Sequence, residues 1–279
     1  MLMRLLVFVE IARPHNMFLA AFAAAAGYFI AGGRSAAEGA PVALFTFFVT
    51  GAGYIINDYF DVGIDRINKP SRPLPSGRMS GREAAALYAV VTTVATIGAI
   101  VFLPRSVAAL VVAWEFGLFV YARWAKRMFV VGNVLVAAIA ASVFVAGGLL
   151  AGDVGSVLVP VVLAFVFNLS REIVKGAEDV DGDRLAGART AAVVVGRDRA
   201  LSWAYALLLL LAAAIPLPAM MEYFGKLYLW VMELAVVPGM VLSAYLIATH
   251  PQRHVFRRVS TILKIEMFFG ILAVGLGKV

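Results

Sequence analysis

The strongest constraint on this chain is a succession of apolar stretches, each about as long as a membrane is thick. A hydrocarbon core of about 30 Å takes about 20 residues of helix. Nine stretches meet that need, at about 15–32, 41–60, 83–103, 107–122, 130–150, 155–175, 199–216, 227–248 and 259–277. The breaks between them carry turn or charged residues: Gly32-Gly33, Pro104-Arg105, Gly152-Asp153, and Pro216 with Pro218. Inside lipid every backbone polar group needs a partner from the chain itself, so apolar stretches of this length are helices. Ser80 followed by Glu83 reads as a capping box opening the third.

Composition supports the same reading. Apolar residues make up 62% of the chain, against about 45–50% in soluble domains. Nine spans use up most of the 279 residues, so residues 1–279 are expected to form a single transmembrane domain. The absence of cysteine excludes disulfides, thiolate metal sites and a cysteine nucleophile. Glu10, Arg13 and Pro14 interrupt the first apolar run, which reads as an uncleaved helix bending near Pro14 rather than a signal peptide.

Nine spans place alternate loops on opposite sides. Of the 24 Lys and Arg residues, only Arg34, Arg105, Lys226 and Lys278 fall on one side. All the others fall on the side of the N-terminal segment and of the loops after spans 2, 4, 6 and 8, which the positive-inside rule assigns to the cytoplasm. The net charge of +7 therefore points to membrane orientation and lipid headgroups, not nucleic acid. The two longest polar loops, about 61–82 and 176–198, lie on that same side.

Each of these loops continues from an acidic cluster. The first reads Asn57-Asp58-Tyr59-Phe60-Asp61-Val62-Gly63-Ile64-Asp65, then Asn68. If the second helix runs on past the bilayer, Asn57, Asp61 and Asp65 form one stripe, because residues four apart share a face. Two carboxylates so placed repel each other, so cations must compensate them. The second cluster, Arg171 to Arg184, sets Arg171, Lys175, Asp179 and Asp183 four apart. Two oxygen-rich stripes on one membrane face suit a hard divalent cation such as Mg²⁺, which takes one or two carboxylates plus waters and phosphate oxygens. Glu172, Glu178 and Asp181 are open between a part in that site and service as solvated charges or caps.

The run Asn57-Asp58-x-x-Asp61-x-x-x-Asp65-x-x-Asn68-x-Pro70-x-Arg72-Pro73-x-Pro75-Ser76-Gly77, with Asp179-x-x-x-Asp183 further on, resembles the two signatures of the UbiA-type intramembrane prenyltransferases. The resemblance spans Arg13-Pro14 through Thr190. It implies an all-α bundle of about nine transmembrane helices around a central cavity, with polar cytoplasmic loops. It also implies Mg²⁺-dependent transfer from an isoprenyl diphosphate, with Asn57, Asp61, Asp65, Asp179 and Asp183 as catalytic ligands of the metal and the diphosphate. Arg13, Asn16, Arg72, Lys126 and Lys175 would be further contacts of the diphosphate. For Arg13 and Lys126, plain roles as a snorkelling residue and a positive-inside charge stay open.

Within that family, Arg171-Glu172-Ile173-Val174-Lys175-Gly176 through Arg184, together with Gly132-Asn133-Val134-Leu135-Val136-Ala137, resembles the archaeal ether-lipid branch. That implies geranylgeranyl diphosphate as donor and geranylgeranylglyceryl phosphate, a lipid-like molecule, as acceptor. No obligatory protein partner is expected. An aromatic or chlorophyllide acceptor is the alternative. A transporter is the rival of another class, since Glu115, Glu233 and Glu266 fall within spans, where ionisable residues are functional candidates. Most of the remaining acids crowd one interface, which disfavours it. A scaffold protein would not account for two matched stripes.

Overall fold

In the computed structural model, which describes residues 2–250 and 252–278, all regular structure among the described residues is helical. The chain opens with α1 (Leu2–Ala12) and α2 (Pro14–Ile30), which meet at 47°. The corner residue Arg13 sits in the left-handed region at φ 55°, and Pro14 begins α2, where its missing N–H breaks no helical bond. The expected bend near Pro14 is present.

α3 (Ala36–Asn68) is 33 residues long, or about 50 Å at 1.5 Å per residue. It outruns a hydrocarbon core of about 30 Å, so it continues well beyond the expected 41–60. Asp61 and Asp65 ride on its overhanging end. α4 (Gly81–Phe102) is opened by the Ser80–Glu83 capping box, with both reciprocal bonds made. α5 (Arg105–Arg123) leads through a 3₁₀ turn at Ala125–Arg127 into α6 (Val131–Ala141) and α7 (Val143–Ala151), which together make one span. α8 (Leu158–Leu185) is 28 residues long and overhangs in the same way, carrying the second acidic cluster.

The remainder comprises α9 (Ala191–Val194), α10 (Arg197–Ala214), α11 (Leu217–Met220), α12 (Lys226–Val231), α13 (Val237–Thr249) and α14 (Arg253–Leu276), with a π-helical turn at Met232–Val236 joining α12 to α13. Eight helices among the described residues are long and apolar enough to span a membrane, or nine where the bent α1–α2 pair is counted as one span. That agrees with the nine stretches in the sequence.

Helices in lipid gain little from the hydrophobic effect and associate through close packing of small residues. α2 and α7 show this at Gly27 and Gly147. A Cβ on Gly27 would lie 2.4 Å from the Phe144 carbonyl oxygen, and one on Gly147 would lie 2.2 Å from the Tyr28 nitrogen. The crossing is backbone against backbone. Some polar side chains in the spans bond across neighbouring helices: Trp114 Nε1 donates to Ser142 Oγ at 2.7 Å, and the Thr96 hydroxyl donates to Glu115.

Candidate active site

The overhanging ends of α3 and α8 lie side by side. Asn68 Nδ2 donates to the Asp179 carbonyl at 3.0 Å, and Lys69 Nζ meets Asp179 Oδ2 at 2.6 Å. The fit is close: a Cβ on Gly182 would lie 2.4 Å from Asn68 Nδ2 and would displace the amide that bonds the Asp179 carbonyl. The two stripes are thus clamped together at their tips.

Cations compensate the carboxylates, as the repulsion within the first stripe requires. Asn57 Nδ2 donates to Asp61 Oδ2 at 2.9 Å. Lys126, from the 3₁₀ turn after α5, lies 2.6 Å from Asp61 Oδ1 and donates to Asn57 Oδ1 at 3.2 Å. Burial pulls the Lys126 ammonium below the ordinary lysine range, and Asp61 offsets this only in part. Arg72 reaches Asp65 Oδ2 at 2.6 Å and Asp58 Oδ1 at 3.3 Å. Burial opposes its charge, but Asp58 and Asp65 outweigh that and hold the guanidinium more firmly protonated than usual. Arg13 donates to the same Asp58 oxygen, with its guanidinium 4.5 Å from the centroid of the Tyr54 ring. Asp58 therefore anchors two arginines.

Glu172 is held by Arg171 Nη1 at 3.1 Å and by Lys175 Nζ at 2.8 Å to each oxygen. Glu178 and Asp181 are engaged elsewhere, by Arg257 at 3.3 Å and Arg197 at 3.2 Å. Of the three acids left open by the sequence, only Glu172 faces the site.

Two cavities meet here. A polar chamber of about 110 Å³ is lined by Asn57, Asp61, Asp65, Asp179 and Asp183, and by Arg13, Lys69, Arg72, Lys126 and Lys175 among others. A larger cavity of about 240 Å³ runs into the bundle between walls such as Leu118, Ile139, Phe144, Phe167 and Ile271. Arg13, Asn57, Tyr121, Glu172 and Lys175 line both and form the neck between them. Asn16 borders only the larger cavity, so among the suggested diphosphate contacts it stands apart from the acidic stripes. Lys69 and Tyr121 escaped the sequence reading. Lys69 lies inside the first signature and was legible by position; Tyr121, one aromatic in an apolar span, carried no signal. Glu266 also faces the larger cavity, buried and with neither carboxylate oxygen hydrogen-bonded.

The donors suit a hard cation. Asp179 Oδ1 is buried without a hydrogen-bond partner, and the stripes supply only oxygen. No three acidic or imidazole side chains among the described residues converge into a closed metal cage. Mg²⁺ does not require one, because water and phosphate complete its shell.

A model of the UbiA prenyltransferase family matches residues 19–272. The chain belongs to that family. Digeranylgeranylglyceryl phosphate synthase of Thermococcus kodakarensis is 33% identical over 270 residues, covering 95% of each chain. A solved structure of a digeranylgeranylglyceryl phosphate synthase in membranes is 30% identical, with a TM-score of 0.73 over 99% of this chain and 98% of that one. A UbiA homolog from Archaeoglobus fulgidus bound to GPP and Mg²⁺ shares the fold at 18% identity, with a TM-score of 0.70 over 97% of this chain and all of that one. With its family and its apolar helices, the chain is a multi-pass membrane prenyltransferase.

Proposed function

We propose that this protein transfers a geranylgeranyl group from geranylgeranyl diphosphate to the free hydroxyl of geranylgeranylglyceryl phosphate, forming an ether. The observation that carries this reading is the neck: a chamber with four aspartates and several cations opens directly into an apolar cavity. That shape suits a molecule with a diphosphate head and a hydrocarbon tail. The relative named digeranylgeranylglyceryl phosphate synthase covers 95% of this chain, which favours the glyceryl phosphate acceptor over an aromatic one.

Asn57, Asp61, Asp65, Asp179 and Asp183 would hold Mg²⁺ and, through it, the diphosphate. Bound there, the metal would neutralise charge on the leaving group. Arg72, Lys126 and Lys175 would turn from their carboxylates toward the phosphate oxygens, with Arg13 at the neck. The bond from C1 to the diphosphate oxygen breaks, and its electron pair leaves with the diphosphate. The acceptor hydroxyl attacks C1, and its proton passes to the departing diphosphate. The apolar walls keep water from C1 while it carries positive charge. Asn16, on the far side of the neck from the aspartates, would border the first prenyl unit.

The test is an assay in lipid nanodiscs with labelled geranylgeranyl diphosphate and Mg²⁺, offering geranylgeranylglyceryl phosphate, 4-hydroxybenzoate, a naphthoate and chlorophyllide. Ether from the glyceryl phosphate alone, lost on chelation, is expected. Product only from an aromatic or chlorophyllide acceptor would reassign the acceptor.

The same assay reads Lys126. Its ammonium loses its proton more readily than an ordinary lysine, so kcat/KM for the donor should fall on the alkaline side, at a pH below that of a free lysine. Lys126→Arg keeps its charge and should extend activity upward in pH. An unchanged alkaline limb would remove Lys126 from diphosphate binding.

The charge asymmetry of the loops supports an active site on the cytoplasmic face. Because the chain has no cysteine, single reporters are clean. Ser76→Cys should react with an impermeant maleimide only from the cytoplasmic side, and Ser106→Cys only from the other. The reverse pattern would invert the topology.

A further inference from the structure

The cations around the neck fall into two groups. Lys69, Arg72 and Lys126 each hold an aspartate of the two stripes. A second group gathers where α2, α8 and α14 converge: Arg13, Arg171, Lys175 and Lys264, with the imidazole of His15 beside them as a neutral hydrogen-bonding group. Lys264 stands in the electrostatic field of Arg171, Lys175 and Arg13, and His15 in that of Lys264, Arg13 and Arg171. The acids facing this group are few. Glu172 is shared between Arg171 and Lys175. Glu178, whose field reaches Lys264, is engaged by Arg257. Asp58 is divided between Arg13 and Arg72. Lys264 makes no ion pair among the described residues, and Arg171, only 8% exposed, keeps its Nε without a partner. Positive charge is left over, apart from the aspartates.

Residues three and seven beyond Lys264 lie on the same helix face. These are Met267 and Ile271, which line the larger cavity. One face of α14 thus presents a cation midway along the helix and an apolar wall towards its C-terminal end, matching an amphiphile with an anionic head.

We infer that Lys264, with Arg171 and His15, forms a second anion subsite that binds the phosphate monoester of the acceptor, while the acceptor's tail lies along Met267 and Ile271. A phosphate monoester carries about −1.5 to −2 at neutral pH, which suits the surplus. Lys175 and Arg13, bordering both cavities, separate this subsite from the aspartate chamber, so the acceptor's glyceryl hydroxyl would lie near the neck. The inference rests on the acceptor proposed above and adds where its phosphate is read.

The experiment compares wild type, Lys264→Gln and Lys264→Arg in nanodiscs, with geranylgeranylglyceryl phosphate and its dephosphorylated alcohol as acceptors. Lys264→Gln should raise KM for the phosphorylated acceptor by about 10-fold or more, as expected for loss of a charge-assisted contact. KM for geranylgeranyl diphosphate should stay within about 2-fold, and turnover of the dephosphorylated alcohol should be unchanged. Lys264→Arg should restore most of the loss, which also shows that the position tolerates change. A rise in donor KM, or equal effects on both acceptors, would overturn the subsite while leaving the transfer reaction standing. Failure of the wild type to prenylate geranylgeranylglyceryl phosphate, with product from an aromatic acceptor, would overturn the acceptor assignment and the subsite together.

Discussion

Asp61→Ala or Asp179→Ala should lower prenyl transfer by about 10²–10³-fold or more, the loss typical of removing one preorganised electrostatic contact to a transition state. The two aspartates lie on different helices and are joined only through the site, so parallel losses would show that both stripes act on one diphosphate. The alanine variants remove a carboxylate from a half-buried cation, Lys126 for Asp61 and Lys69 for Asp179. Breaking a buried pair is destabilising in itself. Asp61→Asn and Asp179→Asn keep the shape and separate the two effects: they should remain folded by gel filtration and thermal melting yet lose single-turnover product formation. Near-normal turnover in either Asn variant at saturating Mg²⁺ would defeat the two-stripe mechanism.

The second large effect is structural. Gly147→Val should destabilise the protein by about 3 kcal/mol or more, at the upper end of overpacking costs. The added Cβ would meet the Tyr28 nitrogen and, at 2.3 Å, the Ala24 carbonyl oxygen. Both are backbone atoms and cannot swing aside, so α2 and α7 must separate. α2 starts beside Arg13 and Asn16, so activity should fall with stability. Gly63→Ala, in α3 with nothing within 4 Å of the new methyl, is the control and should melt at or slightly above wild type. Equal melting temperatures for Gly147→Val and wild type would mean that the two backbones are not in contact.

Much of the fold was legible because its determinants are local. Span length, the Ser80–Glu83 box and the bend at Pro14 each depend on a few neighbouring residues. The acidic stripes were legible for the same reason, since four-residue spacing is a property of one helix. The pairing between stripes was not. Lys69 and Asp179 are 110 residues apart in sequence, and Arg13 and Asp58 are 45 apart. No local pattern tells which cation will meet which carboxylate. Glu172, Glu178 and Asp181 looked alike in sequence, and only the approach of Arg171, Lys175, Arg197 and Arg257 sorts them. Asn16 was associated with the diphosphate by resemblance, yet it borders the apolar cavity on the other side of the neck.

The overhang of α3 and α8 ties catalysis to the lipid itself. The height at which the aspartates stand above the hydrocarbon is the difference between a fixed helix length and the thickness of the surrounding bilayer. A thicker hydrocarbon layer would draw the carboxylates toward a medium that penalises their ionisation, and the helices could answer only by tilting or by thinning the layer around them, at a fraction of a kcal/mol per Å. A protein that supplies membrane lipid would in this way have its output set by the thickness of the layer it helps to build.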